Sequence, residues 1–533
     1  MTVPPLRQAA VLAALTLAVF EPTLSSGLVY DARLQILTDP FLHDPRNWPA
    51  VLSFAVLGMD VLDFNRPVQL ASLMLDAAVW GREPFGYHLT SILLHAANVV
   101  LVWLLLSDLL PRGPRGDGRP APADGPDIAA FAAAVLFAVH PLATEAVCEP
   151  TFREDPLVTL FTLTAVVVAS RHRPATPDLR RAAVCAACCL LAVGSKESGL
   201  VAPLVLAAYW WLFRRAEPPR FWRAAVGGGL AVTAVFLAAR FLLEPSPPRI
   251  FEAPPVYPGG SLAAALAIEP RILALYAQLI VVPLNLCADY GLYSVRHLQL
   301  PAAAVILAVL AVAGIAGARA DRRLAFGLAL IVLPLLPVLN LVPIYRAAAD
   351  RYLYLPLAGV AILAGCLVDA LWHGRLASRR PTVLAASLVV LLLLGFGSMQ
   401  RQRVWSNQLA LWSDTQARNP ESYTAAHGLS DALRVAGRGS EAEACAREAL
   451  RLSGGERGDD WMALALALES QGREAEADTA ADKALAIDPR LATPDARVAV
   501  LALEVSDAEE IKRLFGRRAG RKSPPIVPGG ASP

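Results

Sequence analysis

The chain has 533 residues, 55% hydrophobic and 18% charged, with a mean hydropathy of +0.46 and a net charge of +2. That apolar excess is too large for soluble cores, which stop growing near 250–300 residues. The near-zero net charge excludes a broad nucleic-acid footprint, and seven cysteines without paired CxxC spacing exclude a zinc or disulfide framework. The composition predicts a polytopic membrane protein. Basic residues are almost all arginine: Lys196 is the only lysine before Lys483.

A spanning helix needs about 20 apolar residues. Candidate spans are 8–27, 88–110, 128–147, 156–170, 182–194, 198–213, 223–243, 300–318, 324–343, 353–373 and 381–398. The first has Arg7 before an apolar core and no small-residue cleavage signal, so it reads as an anchor. Residues 28–87 form a long external loop, with Trp48–Met59 and Pro67–Trp80 long enough for surface helices. The stretch 262–284 is interrupted by Glu269, Pro270, Arg271 and Pro283.

Arginine-rich connectors set the orientation. Those holding Arg112, Arg115 and Arg119, Arg171 to Arg181, Arg214 to Arg223, Arg319 to Arg323, and Arg375 to Arg380 should face the cytoplasm. All are accommodated if the N-terminus is inside and 262–284 is re-entrant or surface-lying. The expected result is about eleven spans in a cell inner membrane, with everything after Gln400 external.

Beyond Gln400 the composition turns soluble. Leu429, Leu433, Gly437, Ala442, Ala446 and Ala449 recur 35 residues later as Leu464, Leu468, Gly472, Ala477, Ala481 and Ala484. This spacing resembles tetratricopeptide repeats, helix pairs that bind proteins or peptides and perform no chemistry. The expected fold is all-α: a membrane helix bundle over 1–400, a small α-solenoid over 401–515, and a disordered tail over 516–533. Residues 491–515 are expected to add a third or capping unit.

Mapped on this topology, ionisable residues gather at the external mouths of the helices. They are Tyr30, Asp31 and Arg66 in the first loop, and His140, Glu145, Arg153 and Asp155 after the third span. Lys196 and Glu197 follow the fifth span, Asp289 and Tyr290 the broken stretch, and Asp350, Arg351 and Tyr352 open the tenth. Charges at membrane depth are costly, so such a cluster reads as a functional site. Carboxylates beside Arg and Lys suit a phosphate and a base placed near it.

The order Y-D, R-P, G-x-H-L-x-x-x-L-L-H (Gly86, His88, His95), F-A-V-H-P-L-x-x-E-x-V, K-E-x-G and A-D-R-Y-L-Y-L-P resembles the transmembrane-and-tetratricopeptide O-mannosyltransferases. The likeness runs over about residues 5–490, through Trp405 and Trp412. It implies a C-type glycosyltransferase that moves a sugar, with inversion, from a polyprenyl phosphate to an external protein acceptor. It also implies Asp31 as general base, with Asp155 orienting the acceptor or pairing with Arg153. Lys196, Arg351 and Arg153 are candidates to bind the donor phosphate; a divalent metal is not indicated, nor is nucleic acid. Many such proteins carry two adjacent acids after the tyrosine, whereas Asp31 is followed here by Ala32. The alternative is a non-catalytic membrane scaffold that presents its repeats to partners.

Overall fold

A computed structural model describes residues 5–110, 128–172, 178–243, 257–373, 377–492 and 513–517. Every regular element among them is helical, and the chain divides into two compact units, Met1–Asn407 and Gln408–Pro533. The division falls past 400 because the last long apolar helix continues to Val404.

In the first unit, helices α1 (Pro5–Phe20), α2 (Pro67–Trp80) and α3 (Pro84–Leu109) are followed by α4 (Ile128–Val139), α5 (Glu154–Ser170) and α6 (Leu179–Ser195). Next come α7 (Ala202–Tyr209), α8 (Pro219–Leu243), α9 (Leu262–Val281), α10 (Leu300–Ala320), α11 (Arg322–Leu335), α12 (Tyr354–His373) and α13 (Arg380–Val404). Neighbouring helices pack in two runs, α1–α3–α5–α6–α8 and α4–α12–α11–α10–α9, joined where α3 meets α4. Between α11 and α12 the backbones meet at two glycines: a Cβ on Gly359 would lie 2.4 Å from the Gly327 carbonyl oxygen. Small residues allow such close approach where lipid gives helices no hydrophobic reason to associate.

Among the described residues, seven helices are long and apolar enough to span a bilayer, or eight if the bent pair Ile128–Val139 and Pro141–Cys148 counts as one. This differs from the expected eleven. Helices α5 and α6 are 17 residues each, and α7 ends after 8 in a short wide turn, so none reaches spanning length alone. Conversely, α9 is a continuous 20-residue helix that takes Pro270 inside it, and by length and composition it can cross. The apolar side chains of α10 and α13, such as Val309, Val312, Leu392 and Leu393, are largely uncovered. That is costly in water and natural against lipid. The expected inward connector 111–126 lies outside the described residues.

The first loop is itself a packed body. Leu28, Ala32, Ile36, Val51, Leu70, Leu73 and Tyr87 share one buried cluster. Pro67–Trp80 forms the expected helix, but Trp48–Met59 breaks into Trp48–Leu52 and Ala55–Gly58. The break falls at Phe54, whose backbone is left-handed with φ +62°.

The second unit holds α14 (Gln408–Arg418) and two hairpins, α15 (Tyr423–Val435) with α16 (Gly439–Leu452), and α17 (Gly458–Ser470) with α18 (Glu474–Ile487). Gly437 and Gly472 each take φ +73°, ending the first helix of each pair. The amides of Arg438 and Arg473 reach back to the carbonyls of Leu433 and Leu468. This left-handed cap favours glycine. The repeated alanines 442, 446, 449, 477, 481 and 484 are all buried. Most of the expected third unit and tail, 493–512 and 518–533, lies outside the described residues.

Candidate active site

The site is built where loops between apolar helices fold back on one another. At the end of α4, the His140 Nδ1 accepts the Leu142 amide (3.3 Å) and its Nε2 meets the Ile280 carbonyl (3.1 Å). The chain bends 48° there and runs through two short helical turns to α5, with every residue from His140 to Val158 buried. On the far side, Asp350-Arg351 begins the turn that enters α12.

Lys196, at the end of α6, lies 2.6 Å from Asp155 Oδ2 and 2.9 Å from Glu154 Oε1. Arg66 shares Glu154 at 2.5 Å and reaches Asp63 (3.0 Å) and Glu197 (3.4 Å). Glu197 also faces Arg240 at 3.5 Å. Arg351 binds Glu145 through its backbone amide (2.9 Å) and through its guanidinium. Its guanidinium also stacks 3.9 Å over the Phe152 ring. Arg346 pairs with Asp289 at 2.6 Å, and Tyr290 donates to Asp350 at 2.6 Å. The Tyr352 ring lies under Lys196 at 5.2 Å, and its hydroxyl donates to the Arg346 carbonyl.

These are buried ions in a shared network, so each charge sets its neighbours. Burial lifts Asp63 to about 6, with the charges of Glu154 and Asp31 adding and Arg66 opposing. Burial works against the Glu197 charge as well, but Arg66 and Arg240 overcome it and hold the carboxyl down at about 2. Lys196 is desolvated, yet Asp155 and Glu154 keep its ammonium above the usual range.

Asp31 differs in being exposed. It follows Tyr30, whose φ of +53° is a left-handed conformation costing a non-glycine residue about 1–3 kcal/mol. The Tyr30 ring is fixed against Phe152 (5.5 Å) and Trp405 (6.3 Å), with the Arg346 guanidinium 5.6 Å above it. The charge of Asp31 acts on Tyr30, Asp63, Glu149 and Arg346. Beside Asp155 and Lys196 a small cavity opens, otherwise lined by Val158, Ser198, Pro334, Val338, Tyr352 and Leu355.

Most sequence-predicted residues therefore meet in one network. Three do not. Arg153 is wholly buried and bonds Asp76 (2.5 Å), Ser72 and the carbonyls of Pro150 and Tyr87. It ties the first loop to the second, which corrects the expectation that it pairs with Asp155, held instead by Lys196. His95 bonds the Tyr354 hydroxyl (2.7 Å) and the Ala138 carbonyl, inside the helix core. His88 is likewise fully buried in α3. Sequence reasoning does not single out Asp63, Asp76, Glu149, Arg240 or Arg346. The available signal was position: Arg346 lies just before Asp350, and Glu149 one turn after Glu145. Among the described residues, three metal-ligating side chains meet only in the second unit, at His427, Asp459 and Asp460.

The fold and this network define a polytopic all-α membrane protein with an acid- and cation-rich site at the edge of its apolar helices. Comparison with known proteins then supplies relatives. The chain is 24% identical over 424 residues to Protein O-mannosyl-transferase F38B6.6 of Caenorhabditis elegans, covering 76% of this chain and 57% of the relative. It is 24% identical over 456 residues to Protein O-mannosyl-transferase TMTC1 of Homo sapiens, covering 73% and 48%. Over a shorter stretch of 164 residues it is 31% identical to Protein O-mannosyl-transferase Tmtc1 of Drosophila melanogaster, covering 30% and 18%. The chain is thus similar to protein O-mannosyl-transferases of the TMTC group, and it spans about half the length of those it matches most extensively. No family model matches it, and no solved structure does.

Proposed function

We propose that this chain is an integral membrane O-mannosyltransferase that takes mannose from a polyprenyl phosphate and transfers it, with inversion, to a Ser or Thr hydroxyl. The names of its relatives support the transfer. The observation that carries the mechanism is an exposed carboxylate, Asp31, whose charge reaches a buried network containing Arg346, Arg351 and Lys196.

In this reading Asp31 takes the acceptor's hydroxyl proton as its oxygen bonds to the anomeric carbon. The bond from that carbon to the phosphate breaks on the opposite face. The departing polyprenyl phosphate is stabilised by Arg351 and Lys196 through charge-assisted bonds, and the apolar wall of Val158, Val338 and Leu355 suits its lipid. A phosphate is already a fair leaving group, so a second acid at position 32 is not obligatory.

The arginine connectors support an orientation with the N-terminus in the cytoplasm and both Asp31 and the repeats outside, in an inner (plasma) membrane. The repeats would then be available to protein acceptors. Impermeant thiol labelling of single-cysteine variants in intact cells tests this: Cys445 should label, and a cysteine placed within 111–126 should not.

The test of function is transfer of labelled mannose from polyprenyl-phosphate mannose to a Ser/Thr peptide by the protein in lipid nanodiscs. Transfer abolished by Asp31→Asn supports the reading. Absence of transfer with every polyprenyl-phosphate hexose tried would leave the scaffold alternative standing.

A further inference from the structure

Asp31 stands next to a second carboxyl group that the sequence motif does not contain. Glu149 ends the short helix Thr144–Cys148 in the second loop, and its side chain is fully buried. Its Oε1 accepts the backbone amide of Ala32 at 2.9 Å and the Thr151 hydroxyl at 2.5 Å. Its Oε2 is buried without a hydrogen-bond partner, and no cation pairs with it among the described residues.

A buried carboxyl with no cation is costly as an anion and favours its neutral, protonated form. The charge of Asp31 pushes the same way. As an acid, Glu149 keeps one oxygen on the Ala32 amide and has an O–H to donate. The backbone geometry says why that amide needs holding. Asp31 follows Tyr30 in its left-handed conformation, and such strain persists only where surrounding contacts over-determine it. The Ala32 methyl packs among apolar side chains and makes no hydrogen bond, so the polar contacts of this residue are those of its amide, shared between Glu149 and the Val29 carbonyl at 3.1 Å.

We propose that Glu149 is the positioning residue for Asp31: it clamps the first loop through the Ala32 amide and supplies, from the second loop, the second carboxyl that position 32 lacks. This rests on the reading of the chain as a transferase with Asp31 as base. No bond to Glu149 is made or broken in the transfer; its effect passes through the placement of Asp31.

The test compares Glu149→Ala with Glu149→Gln, in nanodiscs, with polyprenyl-phosphate mannose and a Ser/Thr peptide. A misplaced base costs roughly 10²-fold, so Glu149→Ala should lower kcat by about that factor while the donor KM stays within about threefold. Glu149→Gln keeps an oxygen for the Ala32 amide and should lose less than about tenfold. A merely structural role for Glu149 would instead lower the melting temperature and raise the donor KM together with the loss of kcat. Parental kcat in Glu149→Ala, or equal losses of kcat in Ala and Gln, would overturn the proposal. If the parental protein transfers no mannose, the transferase reading itself fails and this inference falls with it.

Discussion

Lys196 Nζ lies 2.6 Å from Asp155 Oδ2 and is only 8% exposed. A lysine read from the sequence as a phosphate ligand is thus already held by an acid. The second acid, Glu154, is shared with Arg66. The network is closed on itself, and an anionic donor has to join it by competing with carboxylates for its cations.

That relationship separates stability from binding. Lys196→Gln leaves Asp155 and Glu154 with one cation fewer, and removing one partner of a buried pair costs about 3–5 kcal/mol. Adding Asp155→Asn should restore much of the melting temperature without restoring donor affinity. Thermal melts in detergent, alongside binding of labelled donor, check this; recovery of both would mean Lys196 is structural only.

Arg351 gives a second case. Its amide and guanidinium both hold Glu145, joining the entry of α12 to the second loop. Glu145→Ala should destabilise by about 3–5 kcal/mol. Arg351→Lys should not substitute, because a point ammonium cannot reproduce the guanidinium fork and its stacking on Phe152. Chemical denaturation of both variants, with donor binding, is the measurement.

Asp31→Asn preserves shape and removes the base. Turnover should drop by about 10²–10⁴-fold, with donor binding largely kept. Asp155→Asn should disturb the Lys196 contact first, and hence donor affinity. Full activity in Asp31→Asn together with a dead Asp155→Asn would reverse the two roles.

Helix packing offers a prediction independent of function. A methyl on Gly359 would collide with backbone at 2.4 Å, whereas one on Gly314 meets only Leu328 at 3.5 Å. Gly359→Ala should destabilise by about 1–3 kcal/mol or more through overpacking, and Gly314→Ala should be near neutral. Melting of the two proteins side by side decides it.

In the second unit His427 bonds Asp460 at 3.0 Å. Burial alone would lower its pKa, but that bond and the charges of Asp459, Asp460 and Asp431 raise it above 6.5. A folded value above the unfolded one contributes stability that is complete below about pH 6.5. That contribution is lost as pH rises through the folded value. Hydrogen-exchange protection of the hairpins in the intact chain, taken relative to the base-catalysed intrinsic rate, should therefore fall above about pH 6.5, and His427→Gln should flatten the response.

Apolar run length and composition determined by themselves that this is a membrane protein, since about 20 apolar residues have no other common use. The 35-residue recurrence from Leu429 to Leu464 likewise marked the helical hairpins, because the left-handed caps at Gly437 and Gly472 need glycine. Span count was less legible: α5 and α6 stop at 17 residues and α9 absorbs Pro270, outcomes set by packing against neighbours. The site was legible as a set of ionisable residues but not as pairs. Which carboxylate meets which cation depends on where loops 131 or 206 residues apart in sequence come to rest, as Arg66 does on Glu197 and Arg351 on Glu145. Only the tertiary structure could draw Arg153 away to Asp76 and bring Glu149 to the amide beside Asp31, because a buried charge or carboxyl takes whatever partner the fold puts within reach.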